Sequence, residues 1–344
     1  MSATRGATMG EFELIQRYFT RPSPGAVLGV GDDCAILHTA PGMQLAISTD
    51  MLVAGRHFFP DVEPHALGHK ALAVNLSDLA ACGARPMAFT LALALPAADE
   101  GWLAPFAKGL WALADAHGCE LIGGDTTRGP LNLCITVFGE VPGDIAGPTR
   151  TQALLRSGAK AGDDVYVSGT LGEAALGLQQ HLGQLKLDAP AAAACRARLE
   201  RPTPRVALGL ALRGIASACA DVSDGLLGDL GHILKRSGVG ARLDTDAVLA
   251  CCPWSAHPID APLLRQCVLS GGDDYELVFT AAPAQAAAVA AAAQASGTPV
   301  RRIGRIETQT GLRLVDAHGQ LAVHTMQGFD HFASTSPQTA EALK

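Results

Sequence analysis

Basic residues are scarce in this chain: 26 Lys and Arg stand against 33 Asp and Glu, giving a formal charge of −7 at pH 7. They form no run, so the electrostatic footprint of a nucleic-acid binder is missing. A polyanionic small ligand would have to be neutralised by something other than Lys and Arg. No uninterrupted apolar run reaches the ~18 residues of a membrane-spanning helix, so no membrane span is predicted. The opening segment "MSATRGATMGEFEL" lacks the apolar stretch of a secretory signal. The nine cysteines are odd in number and include no C-x-x-C pair, and the adjacent Cys251 and Cys252 could form only a strained disulfide. Reduced, buried thiols in a cytoplasmic protein are the expectation.

Several catalytic templates are also absent. There is no G-x-x-x-x-G-K-[ST] loop, "GVGDDC" lacks the third glycine of G-x-G-x-x-G, and neither a G-x-S-x-G elbow nor the protein-kinase set occurs. "HALGH" spaces His65 and His69 as a zinc protease would, but Ala66 stands where the general base belongs, so both are read as structural. What the chain has is size and apolar content. Its 344 residues exceed what one core usually serves, and 48% apolar with 17% charged residues excludes disorder.

The hydrophobic pattern alternates between strand and helix. Residues 11–19 predict a short helix, and 44–49 a strand ending at Asp50. A helix is expected over 68–84, with Leu72, Leu76 and Leu79 on one face. A buried strand or short apolar segment at 89–95, a helix over 101–118 capped by Gly118 and a strand at 131–141 follow. The Gly/Pro-rich "VPGDIAGPTR" marks a boundary, giving domains 1–150 and 151–340. Beyond it come a strand and helix around "GDDVYVSGTLGEAALGL", Ala-rich helices at 190–200 and 282–296, and a helix over 224–237. That last helix carries a stripe of Leu226, Leu227, Leu230, Ile233 and Leu234, with Asp or Ser as its N-cap and Gly238 at its end. Alternation of this kind predicts an α/β or α+β fold.

Aspartates recur where these elements meet. Asp33 follows the turn of Gly29 and Gly31, Asp50 follows Ser48 and Thr49, and Asp78 lies off the apolar stripe of its helix. Asp125 sits in "IGGDTT", Asp221 and Asp224 flank Ser223, and Asp273–Asp274 sit in "SGGDDYELVF". A single Gly-Asp is ordinarily a turn, and Asp163–Asp164 in "AGDDVYVSG" is read as one, exposed before a strand. The recurrence suits something more. Carboxylates with Ser/Thr hydroxyls are ligands for a hard cation such as Mg²⁺. Backbone amides at the start of the 224–237 helix and in the Ser168–Gly172 turn are expected to hold phosphate.

At the level of whole motifs the chain resembles the thiamine-monophosphate kinases. Their superfamily also holds aminoimidazole ribonucleotide synthetase, selenophosphate synthetase and a hydrogenase maturation factor. The stretches that carry the resemblance run in order from "GEFELI" through "GDDCA", "STDMLVAGRHF", "GHKALAVNLSDLAACGA", "GGDTT", "RSGAKAGDDVYVSGTLG", "DVSDGL" and "GGDDYELVF" to "GFDHF". The resemblance implies an N-terminal α/β domain with a mixed sheet that dimerises. It also implies a C-terminal α/β domain and an active site in the cleft between them. It implies transfer of the γ-phosphoryl of ATP to thiamine monophosphate, with several Mg²⁺ ions. By position it makes Asp33, Ser48, Thr49, Asp50, Asp78, Asp125, Asp221 and Asp224 metal ligands, with Asp33, Asp78 and Asp221 acting catalytically through the metal. Gly124, Asp125, Arg156 and Ser223 become ATP contacts, and His57, Asp273 and Phe329 contacts of the thiamine phosphate. An aromatic that some relatives carry before "GGD" is Ala107 here, leaving Trp111 as the expected substitute. Selenophosphate synthetase would need a Cys and a Lys before the first Gly-Asp, yet no Cys precedes Cys34 and no Lys precedes Lys70. The hydrogenase factor would need a C-terminal Cys, and the last one is Cys267.

Overall fold

The computed structural model describes residues 9–143, 151–316 and 320–322. Contacts divide the chain into two units. One holds the described residues up to Asn75 with Pro86–Glu140, and the other holds Leu76–Arg85 with the described residues from Val141 onward.

The first unit begins with α1 (Glu11–Leu14), which runs on into a π-helical turn at Ile15–Phe19. A short antiparallel pair, β1 (Ala26–Leu28) and β2 (Ile36–Leu37), brackets the first glycine loop. Then come β3 (Met43–Val53), α2 (Pro64–Ala81), β4 (Arg85–Leu95), α3 (Glu100–His117), β5 (Glu120–Arg128) and β6 (Asn132–Pro142). The strands form a sheet in the order β3-β6-β4-β5, with β4 and β5 parallel. α2 is buried well beyond its apolar stripe: Leu67, Leu72, Leu76 and Leu79 are at most 1% exposed, and the polar Lys70, Asn75 and Ser77 are at most 2% exposed. Asp78 alone between Ala71 and Ala80 escapes burial. α2 meets α3 backbone to backbone, for a Cβ on Gly68 would lie 2.0 Å from the Phe106 carbonyl oxygen and one on Gly109 would lie 1.9 Å from that of His65. α3 starts on an Asp99 side chain that accepts from the Gly101 amide, and it ends at Gly118 in the left-handed conformation the sequence predicts.

β3 is longer than expected. It runs through Asp50 to Val53, so Asp50 lies within the strand rather than at its end. Strand periodicity puts Ser48 and Asp50 on one face and Thr49 on the other. Thr49 shares its face with Leu45, Ile47, Met51 and Val53, which are 36–58% exposed on an edge strand.

The second unit is built on a sheet of β7 (Asp164–Ser168), β8 (Ala218–Val222), β9 (Gly240–Asp244), β10 (Glu276–Ala281), β11 (Val300–Glu307), β12 (Gly311–Val315) and β13 (Leu321–Ala322), in the order β13-β12-β9-β11-β7-β10-β8. β9 and β12 pair in parallel and β7, β10 and β11 antiparallel, so the sheet is mixed. Its helices are α4 (Glu173–His181), α5 (Ala189–Glu200), α6 (Val206–Ala211), α7 (Leu226–Ser237), α8 (Thr245–Leu249), α9 (Ala261–Ser270) and α10 (Ala286–Ser296). The predicted stripe of α7 is in the core: Leu226, Leu230 and Ile233 are 0% exposed. Its cap is not the one expected. Gly225 occupies the N-cap with φ +108 and no side chain caps the helix.

Asp163 and Asp164 overturn another expectation. They are 5% and 6% exposed, not on a surface turn. Asp163 accepts from the Lys160 amide at 2.9 Å and the Ser217 hydroxyl at 2.6 Å, and Asp164 pairs with Arg302 at 2.7 Å. The cysteines are free thiols, six of the nine buried.

Candidate active site

In the first unit, the Gly31–Ala35 loop and residues Gly123–Thr126 of β5 line a cleft of about 680 Å³. Asp33 and Asp125 are both exposed along it. The loop is braced locally, with Asp32 Oδ1 accepting the Asp33 amide at 2.8 Å. Gly124 is at φ +149, and a Cβ there would lie 1.9 Å from the Leu91 carbonyl oxygen, so only glycine lets β5 run against β4 at this point. Phe12 of α1, 83% exposed, and Ile15 of the π-helical turn close part of the cleft.

On β3 the Asp50 amide donates to Asn75 Oδ1 at 3.1 Å, and the carboxylate helps raise the Cys134 thiol pKa, after burial as the larger cause. The Thr49 hydroxyl shares a hydrogen bond with Thr136 at 2.9 Å on the opposite face. Thr49 therefore stands apart from Ser48 and Asp50 as a side chain. His57 lies in the turn after β3. Its Nδ1 accepts the Val53 amide at 3.0 Å, which leaves the ring proton on Nε2.

In the second unit, Asp221 is 3% exposed near the end of β8 and accepts from the Ser77 hydroxyl at 2.9 Å. Asp78 and Arg156 share this neighbourhood. Part of Cys82 reaches solvent, but its thiol pKa is raised, first by desolvation and then by the charges of Asp78 and Asp221, against the opposing charge of Arg156. Asp229 is 2% exposed, and its Oδ2 accepts the amides of both Ser223 and Asp224 at 3.0 Å. Burial is the main cause that pushes its carboxyl pKa up to about 7, with the Asp224 charge adding and the two amides and Arg156 opposing.

The loop carrying Ser223 is tied to the second Gly-Asp-Asp. The Asp273 amide donates to the Ser223 carbonyl at 2.9 Å, and the Tyr275 amide to that of Val222 at 2.8 Å. Asp273 and Tyr275 both hold the left-handed backbone region, at φ +67 and +50, and the Tyr275 hydroxyl meets Asp273 Oδ1 at 3.1 Å. Asp274, between them, is 1% exposed. It accepts from the Gly172 amide at 2.8 Å, and burial holds its carboxyl pKa well above the usual range. It is an internal anchor, not a second ligand presented by the loop. Glu276, 0% exposed, continues the buried network with Arg198 at 2.9 Å and the Ser168 hydroxyl at 2.6 Å.

Both predicted phosphate cradles give some of their amides to the fold itself. The Ser223 and Asp224 amides go to Asp229. In the Ser168–Gly172 turn, Gly169, Leu171 and Gly172 donate to Pro299, Cys251 and Asp274. Sequence reasoning missed Asp229, whose only signal is its place in "DGLLGDL", and Phe12, an apolar residue in the first short helix. Trp111 is not on the cleft. It is 7% exposed, its indole N–H donates to the Tyr18 carbonyl at 2.8 Å, and Arg21 stacks on it at 4.0 Å. Phe329 lies outside the described residues.

Among the described residues no three His, Cys, Asp or Glu side chains form a closed metal cage. The donors are instead dispersed and all oxygen, such as Asp78 and Asp221, whose charges both act on the Cys82 thiol. That is the set Mg²⁺ uses when it keeps waters and substrate phosphate oxygens in its shell, so the residues fit the ion.

Residues 31–141 match the N-terminal domain, and residues 160–317 the C-terminal domain, of the AIR synthase related proteins. The chain is 48% identical to the thiamine-monophosphate kinase of Salmonella typhimurium over 331 residues, covering 94% of this chain and 99% of that one. It belongs to the thiamine-monophosphate kinase family. The Escherichia coli K12 kinase is 45% identical over the same shares. A crystal structure of thiamine-monophosphate kinase from Stenotrophomonas maltophilia K279a superposes with a TM-score of 0.77 at 47% identity, over 87% of this chain and 93% of that one. A structure described as AaThiL complexed with AMPPCP and TMP gives 0.71 at 27% identity, over 86% and 89%. The likeness to hydrogenase maturation protein HypE, with a TM-score of 0.72 at 21% identity, shows a shared fold alone. The two-domain α/β reading holds, within the thiamine-monophosphate kinase branch of that fold.

Proposed function

We propose that this chain phosphorylates thiamine monophosphate with ATP, giving thiamine diphosphate and ADP. The observation that carries the reading is its 48% identity to a thiamine-monophosphate kinase, extending over 94% of its length. A more distant relative solved with AMPPCP, an ATP analogue, and TMP supports the same pair of substrates.

The two substrates together bring roughly six negative charges, and the transferring group spreads charge over its equatorial oxygens. The chain's own cations near these residues are few, and several of its loop amides are already used. We assign neutralisation to Mg²⁺ held by Asp33, Ser48, Asp50, Asp78, Asp125, Asp221 and Asp224, with Thr49 limited to its backbone. When bound, Mg²⁺ neutralises phosphate oxygens and lowers the cost of bringing the two anions together. Arg156 and the Ser223 hydroxyl bind the polyphosphate, and Gly124 lets it approach the backbone beside Asp125. His57 Nε2–H and Asp273 contact the thiamine phosphate, with Phe329 as the aromatic surface for its cationic ring. The acceptor oxygen is already deprotonated, so no protein nucleophile or general base is required. Transfer is direct and in line, and positioning and electrostatics supply the rate.

ADP release with thiamine monophosphate, free thiamine or no acceptor, followed by chromatography, tests the assignment. ADP and thiamine diphosphate appearing with the monophosphate alone is the expected result. Absence of thiamine diphosphate from folded protein overturns the substrate, and a trapped phosphoenzyme overturns direct transfer.

The exposed apolar face of β3 is the surface through which the protein forms a homodimer. Ile47→Asp should convert it to monomer in sedimentation experiments. Residues 1–150 form the ATP- and Mg²⁺-binding and dimerisation domain, and 151–340 the domain that completes catalysis. The free buried thiols favour the cytoplasm. No described helix is long and apolar enough to cross a membrane.

A further inference from the structure

We infer that Asp229 is a positioning residue that sets the direction of Ser223 and Asp224. The inference rests on the reading of those two as nucleotide and metal contacts. Its geometry is unusual for a carboxylate in a first helical turn. Such a group ordinarily serves the amides of its own helix or of the N-cap. Asp229 instead reaches back past Gly225, the N-cap of α7, to the two amides just before it, both at 3.0 Å. It serves the loop, not the helix.

The surroundings leave the loop little freedom. Asp229 is 2% exposed, and its two amide partners belong to half-buried residues, so solvent has limited access to replace it. A buried amide that loses its acceptor costs far more than an exposed one. Gly225 packs closely against the end of α9, for a Cβ there would lie 2.7 Å from the Ser270 carbonyl. On the other side the Ser223 carbonyl accepts the Asp273 amide at 2.9 Å. One carboxylate therefore fixes the Ser223 and Asp224 side chains and, through the Ser223 carbonyl, the loop of Asp273.

Amide hydrogen exchange on the full, metal-free protein reads the role without turnover. In Asp229→Ala, exchange at Ser223 and Asp224 should speed roughly tenfold or more, while the β10 amides keep their wild-type rates. The KM for Mg·ATP should rise roughly tenfold, with kcat falling less. Asp229→Asn keeps an oxygen acceptor and should recover most of both, leaving about a two- to fivefold residue. Unchanged loop exchange, or equal acceleration in β10, overturns the inference. If Asp229→Ala does not fold, Asp229→Asn decides alone, and wild-type exchange and KM in it overturn the inference. Ser223→Ala and Asp224→Asn separate the two levels. If they leave the KM for ATP unchanged, the reading of the loop fails. If they raise it while Asp229→Ala does not, only the positioning role fails.

Discussion

Two Gly-Asp-Asp stretches of nearly the same local sequence end in opposite surroundings. In Gly31–Asp33 both carboxylates are exposed, and Asp32 only braces the next amide at 2.8 Å. In Gly272–Asp274 the second carboxylate is 1% exposed and locked to an amide 102 residues away in sequence. A third copy, Gly162–Asp164, is buried again but bound to different partners, Ser217 and Arg302. The glycine and the pair specify a turn. Whether the turn offers its carboxylates to a ligand or to the protein's own interior is set by what packs over it.

The largest expected difference between the two stretches is in catalysis. Asp33→Ala should lower kcat/KM by roughly a hundred- to thousandfold, as loss of a strong electrostatic contact does. Its melting midpoint should stay within about 2 °C of wild type by calorimetry, because nothing buried depends on it. Wild-type activity would show that the first loop is only a turn. Asp274→Ala should give the opposite signature. It strands the Gly172 amide and should cost about 1–3 kcal/mol in urea unfolding. Unchanged stability would break the contrast.

The pH dependence sharpens it. Burial raises the Asp274 pKa in the folded state, against the Gly172 amide and Arg198, which lower it. Below about pH 4 the carboxyl is protonated in both states and its contribution is fully present. As pH rises from there toward the folded-state pKa, the unfolded chain ionises first and that stability is lost. Unfolding free energy measured across this range should therefore slope less steeply downward in Asp274→Asn than in wild type. Equal slopes would mean Asp274 ionises normally in the fold. The smallest effect belongs to Tyr275→Phe, which removes the hydroxyl 3.1 Å from Asp273 Oδ1. A rise of about three- to tenfold in KM for thiamine monophosphate is expected, with kcat nearly unchanged. A kcat effect alone would point to a role in the chemical step.

Much of the fold was legible in the sequence. The apolar stripes of α2 and α7, the Gly118 and Gly238 stops and the Ala-rich α5 and α10 follow from local periodicity and backbone preference. So does the placing of Asp33 and Asp273 in glycine-bearing turns and of Asp221 near a strand end, whereas Asp125 lies within β5. Each error has a physical cause. Asp50 fell inside its strand because β3 is extended by sheet pairing. Trp111 turned away from the cleft because the π-helical turn before it offered a carbonyl acceptor. Ser and Asp lost the cap of α7 because the helix starts only after Gly225, whose φ of +108 suits glycine.

The sequence by itself determined where the chain turns, which helices have a buried face, and which family's motifs it carries in order, because these depend on neighbours a few residues apart. Tertiary structure alone decided which aspartates stay wet. Burial of a carboxylate depends on donors brought from elsewhere in the chain: Gly172 for Asp274, Ser217 for Asp163, Arg302 for Asp164. No dipeptide encodes the identity of a partner that only folding delivers.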